Sequence, residues 1–184
     1  WRLGSLLKGR LGFDIIASIE GQPADVVVEL GFGNSVHVHN LNASIPAQRL
    51  LPLIGGLNLP LGGTLQAQID YLHIKNNQPR QAVGTAQLKQ AAWHLMRPPL
   101  ELGSVALKLS TEDTQIMGKL LNEAGSPVEL EGEFNLDNAG QYQFTARLKP
   151  LTNADPRLAN LMQGLGQKDA QGWYRVKTQG ALAQ

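Results

Sequence analysis

Strict alternation of apolar and polar residues over two neighbouring runs constrains this fold more than any other sequence feature. The runs lie within residues 127–149 and are separated by the turn-forming sequence Asp137-Asn138-Ala139-Gly140. A period of two places every second side chain on one face of a strand, so the pattern predicts a β-hairpin with one apolar face. The apolar positions are Val128, Leu130, Phe134 and Leu136 in the first run, and Tyr142, Phe144, Ala146 and Leu148 in the second.

A short helix and a last strand are predicted after the hairpin. Asp155 suits the N-cap position and Pro156 the first helical position, while Gly164 and Gly166 suit the end of a helix. The final strand alternates again around Tyr174. The apolar stripe of the helix would consist of Leu158, Leu161, Met162 and Leu165.

The first two thirds of the chain repeat this pattern of short strands. Residues 35–45 change the parity of their apolar positions, which predicts a bulge near Asn40. A second short helix is expected over Pro46 to Ile54, before a pair of glycines. With about ten strands and Gly, Asn and Pro turns, we expect a mainly β fold. This would be an antiparallel meander forming a curved sheet, a sandwich or a partial barrel, with two short helices.

Two long segments resemble a known family. The motifs in residues 127–182 are the sequences PVELEG, ADPRL and LGQKDAQGWY, and residues 45–69 read IPAQRLLPLIGGLNLPLGGTLQAQI. In this order they are similar to protein N of the bacterial type II secretion system. The resemblance covers most of the chain after about residue 40, and the motifs are structural rather than catalytic.

The resemblance carries several expectations about the whole protein. It implies an inner-membrane-anchored protein whose bulk is periplasmic and takes part in the export of folded proteins. We expect residues 1–184 to be a single periplasmic β-rich domain, a fragment that lacks the N-terminal membrane anchor. The family also looks distantly AsmA-like, and AsmA-like proteins are linked to lipid traffic at the cell envelope.

Composition excludes several classes of function. The chain has 184 residues, a net charge of +1 and 5% aromatic residues, so neither a basic field nor a stacking surface favours nucleic acid. The absence of cysteine excludes disulfides, thiol nucleophiles and cysteine-based metal sites. No apolar run approaches the length of about 18 residues that a membrane-spanning helix needs.

No grouping of side chains predicts a reaction. His37 and His39 are two residues apart and would share one face of a strand, where they could hold a metal ion. The simpler interpretation is two exposed histidines opposite buried Val36 and Val38. His73 and His94 stand alone in strand-like runs and are expected to be half-buried packing residues. We therefore predict no catalytic residue, no metal and no cofactor.

A row of carboxylates runs along one strand of the predicted hairpin. Glu129, Glu131 and Glu133 share a face, and paired carboxylates are what glycoside hydrolysis uses. The return strand, however, offers Arg147 and Lys149 as cross-strand partners. A solvated face with charge that protects a sheet edge is therefore the favoured interpretation.

The most apolar segment of the chain is LLPLIGGLNLPL, at residues 50–61. It fits a buried plug, and it also fits an apolar lip that contacts lipid, a hydrophobic ligand or a partner. As a candidate interaction surface it contributes Leu50, Leu51, Leu53, Ile54, Leu57, Leu59 and Leu61.

The resemblance, together with the lack of a catalytic grouping in the sequence, favours a non-enzymatic accessory component of the secretion machinery that works by protein–protein contact in the periplasm. Its partners would be other secretion components, in the inner membrane or the periplasm, and lipid is a further candidate. The alternative is a β-groove of the cell envelope that binds lipid or another apolar ligand. An enzyme is the third hypothesis and would need a pocket that clusters His, Glu and Ser side chains.

Overall fold

One antiparallel sheet of ten strands accounts for most of the chain in a computed structural model that describes residues 9–19, 22–50, 60–152 and 154–182. Each strand pairs with the next one in sequence, so the sheet is a simple meander. The strands are β1 Leu11–Ile19, β2 Gln22–Gly31, β3 Ser35–Pro46, β4 Leu61–Lys75, β5 Gln78–Trp93, β6 Leu100–Glu112, β7 Gln115–Asn122, β8 Val128–Leu136, β9 Gln141–Pro150 and β10 Tyr174–Ala181. Helix α1 spans Ala47–Leu50 and helix α2 spans Pro156–Gln163.

The strand register gathers the apolar positions on one face of the sheet, which we call the apolar face. Phe134 of β8 lies opposite Phe144 of β9, and both side chains are half-buried. The predicted hairpin is therefore confirmed. The same register runs across the middle of the sheet as a row that consists of Ala43, Ala67, Ala86, Leu107, Leu120, Gly132, Ala146 and Val176.

The sheet curls toward its apolar face without closing. The Arg80 guanidinium, at the start of β5, donates a hydrogen bond to the carbonyl of Asn138 in the turn between β8 and β9. Strands β6 and β7 lie between β5 and β8 in the sheet, so this contact requires the sheet to bend strongly. The curved sheet that the sequence predicts is confirmed.

Two apolar clusters fill the two ends of the curled sheet. One contains buried Ala82, Ile116 and Leu136, and half-buried Leu72 and Tyr142 pack against it. At the opposite end, helix α2 covers the sheet and packs Leu158 and Met162 into a cluster with Leu100, Val128 and Tyr174. Between the two clusters, this central row of alanines, glycine, leucines and valine remains mostly half-buried.

Helix α2 forms where the capping residues predict it. Asp155 is the N-cap, its carboxylate accepts a hydrogen bond from the backbone N–H of Arg157 at 2.9 Å, and Pro156 follows. Leu158 is fully buried, but Leu165 is 47% exposed because the helix ends at Gln163. The predicted stripe of four is thus narrower than expected.

The predicted bulge is present in β3. Asn40 has a φ of 52°, and the pairing with β2 shifts register between Asp25 and Val27. Asparagine tolerates this left-handed conformation better than most residues do. Helix α1 begins one residue after Pro46, and the remainder of the expected helix, residues 51–54, lies outside the described residues.

Candidate functional site

A cluster of hydrogen-bonded polar side chains lies on the face of the sheet opposite the apolar face. Ser35 and His37 come from β3, and Tyr71 and His73 come from β4. The Ser35 hydroxyl lies 3.0 Å from Nε2 of His37 and 2.9 Å from Nε2 of His73. Nδ1 of His37 lies 2.8 Å from the Tyr71 hydroxyl. We call these four residues the Ser–His–Tyr cluster.

The chain positions this cluster through strand pairing. His37 lies directly opposite His73, and Ser35 is two residues before His37, so alternation places all three on one face. The two imidazole rings stack with their centroids 4.2 Å apart and their planes 6° from parallel. A one-residue slip of β3 against β4 would turn the side chains to opposite faces.

An ion pair flanks the cluster. Arg10 lies just before β1, and its guanidinium is 3.2 Å from a carboxylate oxygen of Glu29 in β2. Nε2 of His39 lies 3.5 Å from the same oxygen. Glu29 is buried, and a buried carboxylate is stable only with such partners.

Burial around the histidines differs from the expectation. His37 is only 5% exposed, whereas Val36 and Val38 are half-buried, so the interpretation of two exposed histidines opposite buried valines is wrong. Stacking with His73 and the bonds to Ser35 and Tyr71 satisfy the polar atoms and permit this burial. His73 is half-buried as expected, but His94 is exposed in the turn after β5.

Burial and positive charge disfavour protonation of the two stacked imidazoles. Desolvation lowers the pKa of His37, and the Arg10 guanidinium lowers it further. The pKa of His73 is lowered by desolvation first, and then by the charges of Arg10, Lys75 and Arg80. Burial raises the pKa of the Tyr71 hydroxyl. The cluster is therefore neutral near pH 7.

The geometry does not support metal binding by the His37–His39 pair. Both ring nitrogens of His37 lie within hydrogen-bonding distance of another side chain, so neither is free for a metal ion. Over residues 9–19, 22–50, 60–152 and 154–182, no group of three His, Cys, Asp or Glu side chains is arranged to hold a metal ion.

A cleft of about 630 Å³ opens beside the Ser–His–Tyr cluster at the rim of the sheet. The turns after β4, β6 and β8 contribute Asn76, Thr114 and Asn138 to its wall. Sequence reasoning missed this site, although the pair His37 and His39 and the pair Tyr71 and His73 share a two-residue spacing in predicted strands. The cleft is lined by Arg10, His37, Tyr71, His73, Lys75, Asn76, Arg80, Gln81, Thr114 and Asn138.

The carboxylate row of β8 lies opposite basic residues of β9. Glu131 lies opposite Arg147, and their side chains form an ion pair at 2.6 Å. Glu129 lies opposite Lys149 in the same register. The predicted cross-strand partners are confirmed. Arg147 also stacks on the ring of Trp173, with its guanidinium carbon 4.5 Å from the ring centroid.

Strand β10 forms one edge of the sheet, and no strand of the described residues pairs with its outer side. The N–H of Leu182 donates to the carbonyl of Gly140 at 2.8 Å, which makes these two residues a hydrogen-bonded pair. Because such pairs alternate along an antiparallel ladder, alternate residues of β10 point their N–H and C=O groups away from β9. The outward residues are Arg175, Lys177, Gln179 and Ala181.

Most of the apolar lip lies outside the described residues. Leu51, Leu53, Ile54, Leu57 and Leu59 fall within residues 51–59, and the side chain of Leu50 is not described. Leu61 begins β4 and is half-buried. The lip therefore remains a prediction.

Comparison with known families identifies the family of this chain. The family model described as type II secretion system (T2SS), protein N matches residues 1–177. The chain belongs to this protein N family. A relative named type II secretion system protein N, from Aeromonas hydrophila, is 24% identical over 156 residues. The match covers 83% of this chain and 62% of the relative. No solved structure matches the chain.

Membership of the protein N family makes this chain a component of the type II secretion system. The chain spans about 62% of the length of its Aeromonas relative. No helix in the described part of this family member has the length and apolar character needed to cross a membrane.

Proposed function

We propose that this protein N domain is a non-enzymatic accessory part of the secretion machinery and binds another component in the periplasm. It would belong to a protein anchored in the inner membrane by a segment outside this chain. The observation that carries the proposal is the free edge of β10, in a sheet that ends without closing. An exposed edge can bind an extended segment of a partner through backbone hydrogen bonds.

The chemistry of the edge restricts the partner segment. Arg175 and Lys177 lie on the polar face beside the outward backbone groups, and Arg175 is already ion-paired with Asp169 at 3.2 Å. Lys177 is exposed and can pair with an acidic side chain of an added strand. A partner segment with alternating acidic and apolar residues fits this edge best.

A proline substitution tests the edge. Gln179→Pro removes an outward N–H and places a ring where a partner strand would pair, while leaving the bonds to β9 in place. Gln179→Ala is the matched control because it keeps the N–H. The wild-type domain and both variants are used to capture purified secretion components, one at a time.

We expect the wild-type domain and Gln179→Ala to retain one component that Gln179→Pro loses. Thermal unfolding should show that Gln179→Pro stays folded, whereas Thr178→Pro, which removes a bond to β9, should lose stability. Equal retention by Gln179→Pro and Gln179→Ala would exclude β10 as the binding edge. Failure of the wild-type domain to retain any component would refute the protein-contact role.

A second candidate function is supported by the central row of the apolar face. Ala43, Ala67 and Ala86 are small and remain half-buried, between apolar clusters that fill both ends of the curled sheet. Small side chains in the middle of a concave apolar face leave room for an acyl chain or another apolar ligand.

Native mass spectrometry of the purified domain tests this second function. A co-purifying phospholipid mass that is reduced by Ala86→Leu, but not by Thr85→Leu on the opposite face, would support a lipid-binding groove. Thr85 is exposed and lies next to Ala86, so the control adds the same side chain to the same strand. A ligand-free mass for the wild-type domain would count against it.

A further inference from the structure

The rim cleft carries a concentration of positive charge. Three of its lining residues are the bases Arg10, Lys75 and Arg80, and none of the described residues that line it carries a carboxylate. Glu29 pairs with Arg10, but no carboxylate of the described residues lies within ion-pairing distance of Lys75 or Arg80. A concave site lined by charges of one sign strengthens the local potential and attracts ligands of the opposite sign.

The acidic residues of the neighbouring turns do not cancel this charge. Asp137 precedes Asn138, but its Oδ1 accepts hydrogen bonds from the backbone N–H groups of Ala139 and Gln141, so it is engaged in its own turn. Asp113 adjoins Thr114, is exposed, and is not part of the lining.

Neutral hydrogen-bond donors supplement the cations. The wall includes the hydroxyls of Tyr71 and Thr114 and the amide of Asn76, whereas the imidazoles of His37 and His73 in the same wall are already hydrogen-bonded within the Ser–His–Tyr cluster. A phosphate dianion presents several acceptor oxygens, so hydroxyl and amide groups can donate hydrogen bonds to it. Lys75 and Arg80 have no carboxylate partner among the described residues, and together with Arg10, which is paired with Glu29, they favour a dianionic group over a single carboxylate.

The state of the imidazoles reports the same electrostatic field. Desolvation is the first cause that lowers the pKa of His73, and the charges of Arg10, Lys75 and Arg80 lower it further. A field that disfavours a proton on an imidazole stabilises an anion placed near it, since both effects arise from the same positive potential.

Two hydrogen bonds between neighbouring turns and strands hold the cleft in shape. The backbone N–H of Asn76 donates to the carbonyl of Asn34 at 3.1 Å, which ties the turn after β4 to the turn before β3. The Arg80–Asn138 hydrogen bond ties the start of β5 to the turn after β8. The volume of the cleft, about 630 Å³, exceeds that of a lone phosphate and lies in the range typical of ligand pockets.

We propose that the rim cleft of this domain binds the phosphate group of a larger phosphorylated ligand, with Lys75, Arg80 and Arg10 as the cationic contacts. This goes beyond the protein-contact function, because it involves a different face and a ligand of different chemistry. The phosphate can come from a lipid headgroup or from a soluble phosphorylated molecule.

Histidine NMR provides the first test. Inorganic phosphate is titrated into the wild-type domain while the imidazole resonances of all four histidines are followed. We expect saturable shifts of His37 and His73, and none of His94, which lies in the turn after β5. Sulfate should give the same pattern, because it is a dianion of the same shape whose charge does not change near neutral pH. Absence of saturable shifts at His37 and His73 would overturn the proposal.

Charge reversal locates the site. Lys75→Glu should weaken phosphate binding by roughly ten- to a hundredfold, the loss expected for a hydrogen bond to a charged group. Lys168→Glu makes the same change of net charge at an exposed loop position and should leave binding within about twofold of wild type. Equal weakening by both variants would show a non-specific charge effect and refute the site. Unchanged thermal unfolding shows that both variants fold.

Vesicle binding distinguishes the two sources of phosphate. Phosphatidylcholine vesicles with and without phosphatidic acid are sedimented with the wild-type domain and with Lys75→Glu. Binding that requires both phosphatidic acid and Lys75 assigns the cleft to a lipid headgroup. Saturable phosphate binding without vesicle binding assigns it to a soluble ligand. If neither probe binds in a Lys75-dependent manner, the proposal is wrong.

Discussion

The imidazole rings of His37 and His73, on two adjacent strands, stack with an angle of 6° between their planes and 4.2 Å between their centroids. The Ser35 hydroxyl bridges Nε2 of both rings. Two protonated imidazoles at this separation would repel each other, so the stack is stable only while at least one ring is neutral. The charged or titratable groups around it are Arg10, Glu29, His39, Tyr71, Lys75 and Arg80.

Stability should therefore depend on pH. Burial and neighbouring cations hold the pKa of both His37 and His73 below the unfolded value of 6.5. Below pH 6.5 the unfolded chain binds more protons than the folded one, so the unfolding free energy falls as the pH is lowered. The stabilising contribution of the two neutral histidines should be complete above pH 6.5 and should decline below it. Urea denaturation at a series of pH values measures this change in the unfolding free energy.

Replacing one ring checks the origin of this dependence. His73→Gln should flatten the fall in unfolding free energy on acidification, whereas His94→Gln, in an exposed turn, should leave the slope unchanged. An identical slope in wild type and His73→Gln would show that other groups cause the effect.

The end of the sheet beneath helix α2 should depend on Leu158. This side chain is fully buried in the cluster with Leu100 and Val128. Leu158→Ala should lower the unfolding free energy by about 2–5 kcal/mol through lost burial and a cavity. Leu165→Ala, at a position that is 47% exposed, should change it by less than about 0.5 kcal/mol. Denaturant unfolding measures both values, and equal losses would contradict this assignment of the core.

The bulge in β3 should tolerate glycine but not alanine. Asn40 has a φ of 52°, a conformation that costs residues with a Cβ about 1–2 kcal/mol. Asn40→Ala should lower the unfolding free energy by up to about this amount, and Asn40→Gly should be nearly neutral. If thermal unfolding shows alanine and glycine to be equivalent, the left-handed conformation is not required there.

Like charges meet in the middle of the sheet. Lys108 of β6 lies directly opposite Lys119 of β7, and both are exposed. Lys108→Glu should stabilise the domain by about 0.2–1 kcal/mol at low ionic strength, because it replaces repulsion by attraction. The gain should shrink as salt is added, and a gain independent of salt would point to a different cause.

Local patterns were sufficient to predict the hairpin and helix α2. Phe134 and Phe144 lie opposite each other because alternation and a turn cluster leave few other registers. Asp155 and Pro156 start the helix because capping depends only on adjacent backbone groups. The bulge at Asn40 was predictable for a similar reason, since a change of parity is visible within one strand.

The sequence by itself thus determined the strands, their faces and the caps, because these depend on residues close together in the chain. Only the tertiary structure decided that Ser35, His37, Tyr71 and His73 meet, that His37 is buried, and that Arg80 reaches the turn at Asn138. Strand register and the curl of the sheet bring those groups together. Both depend on packing summed over the whole sheet, which no local pattern encodes.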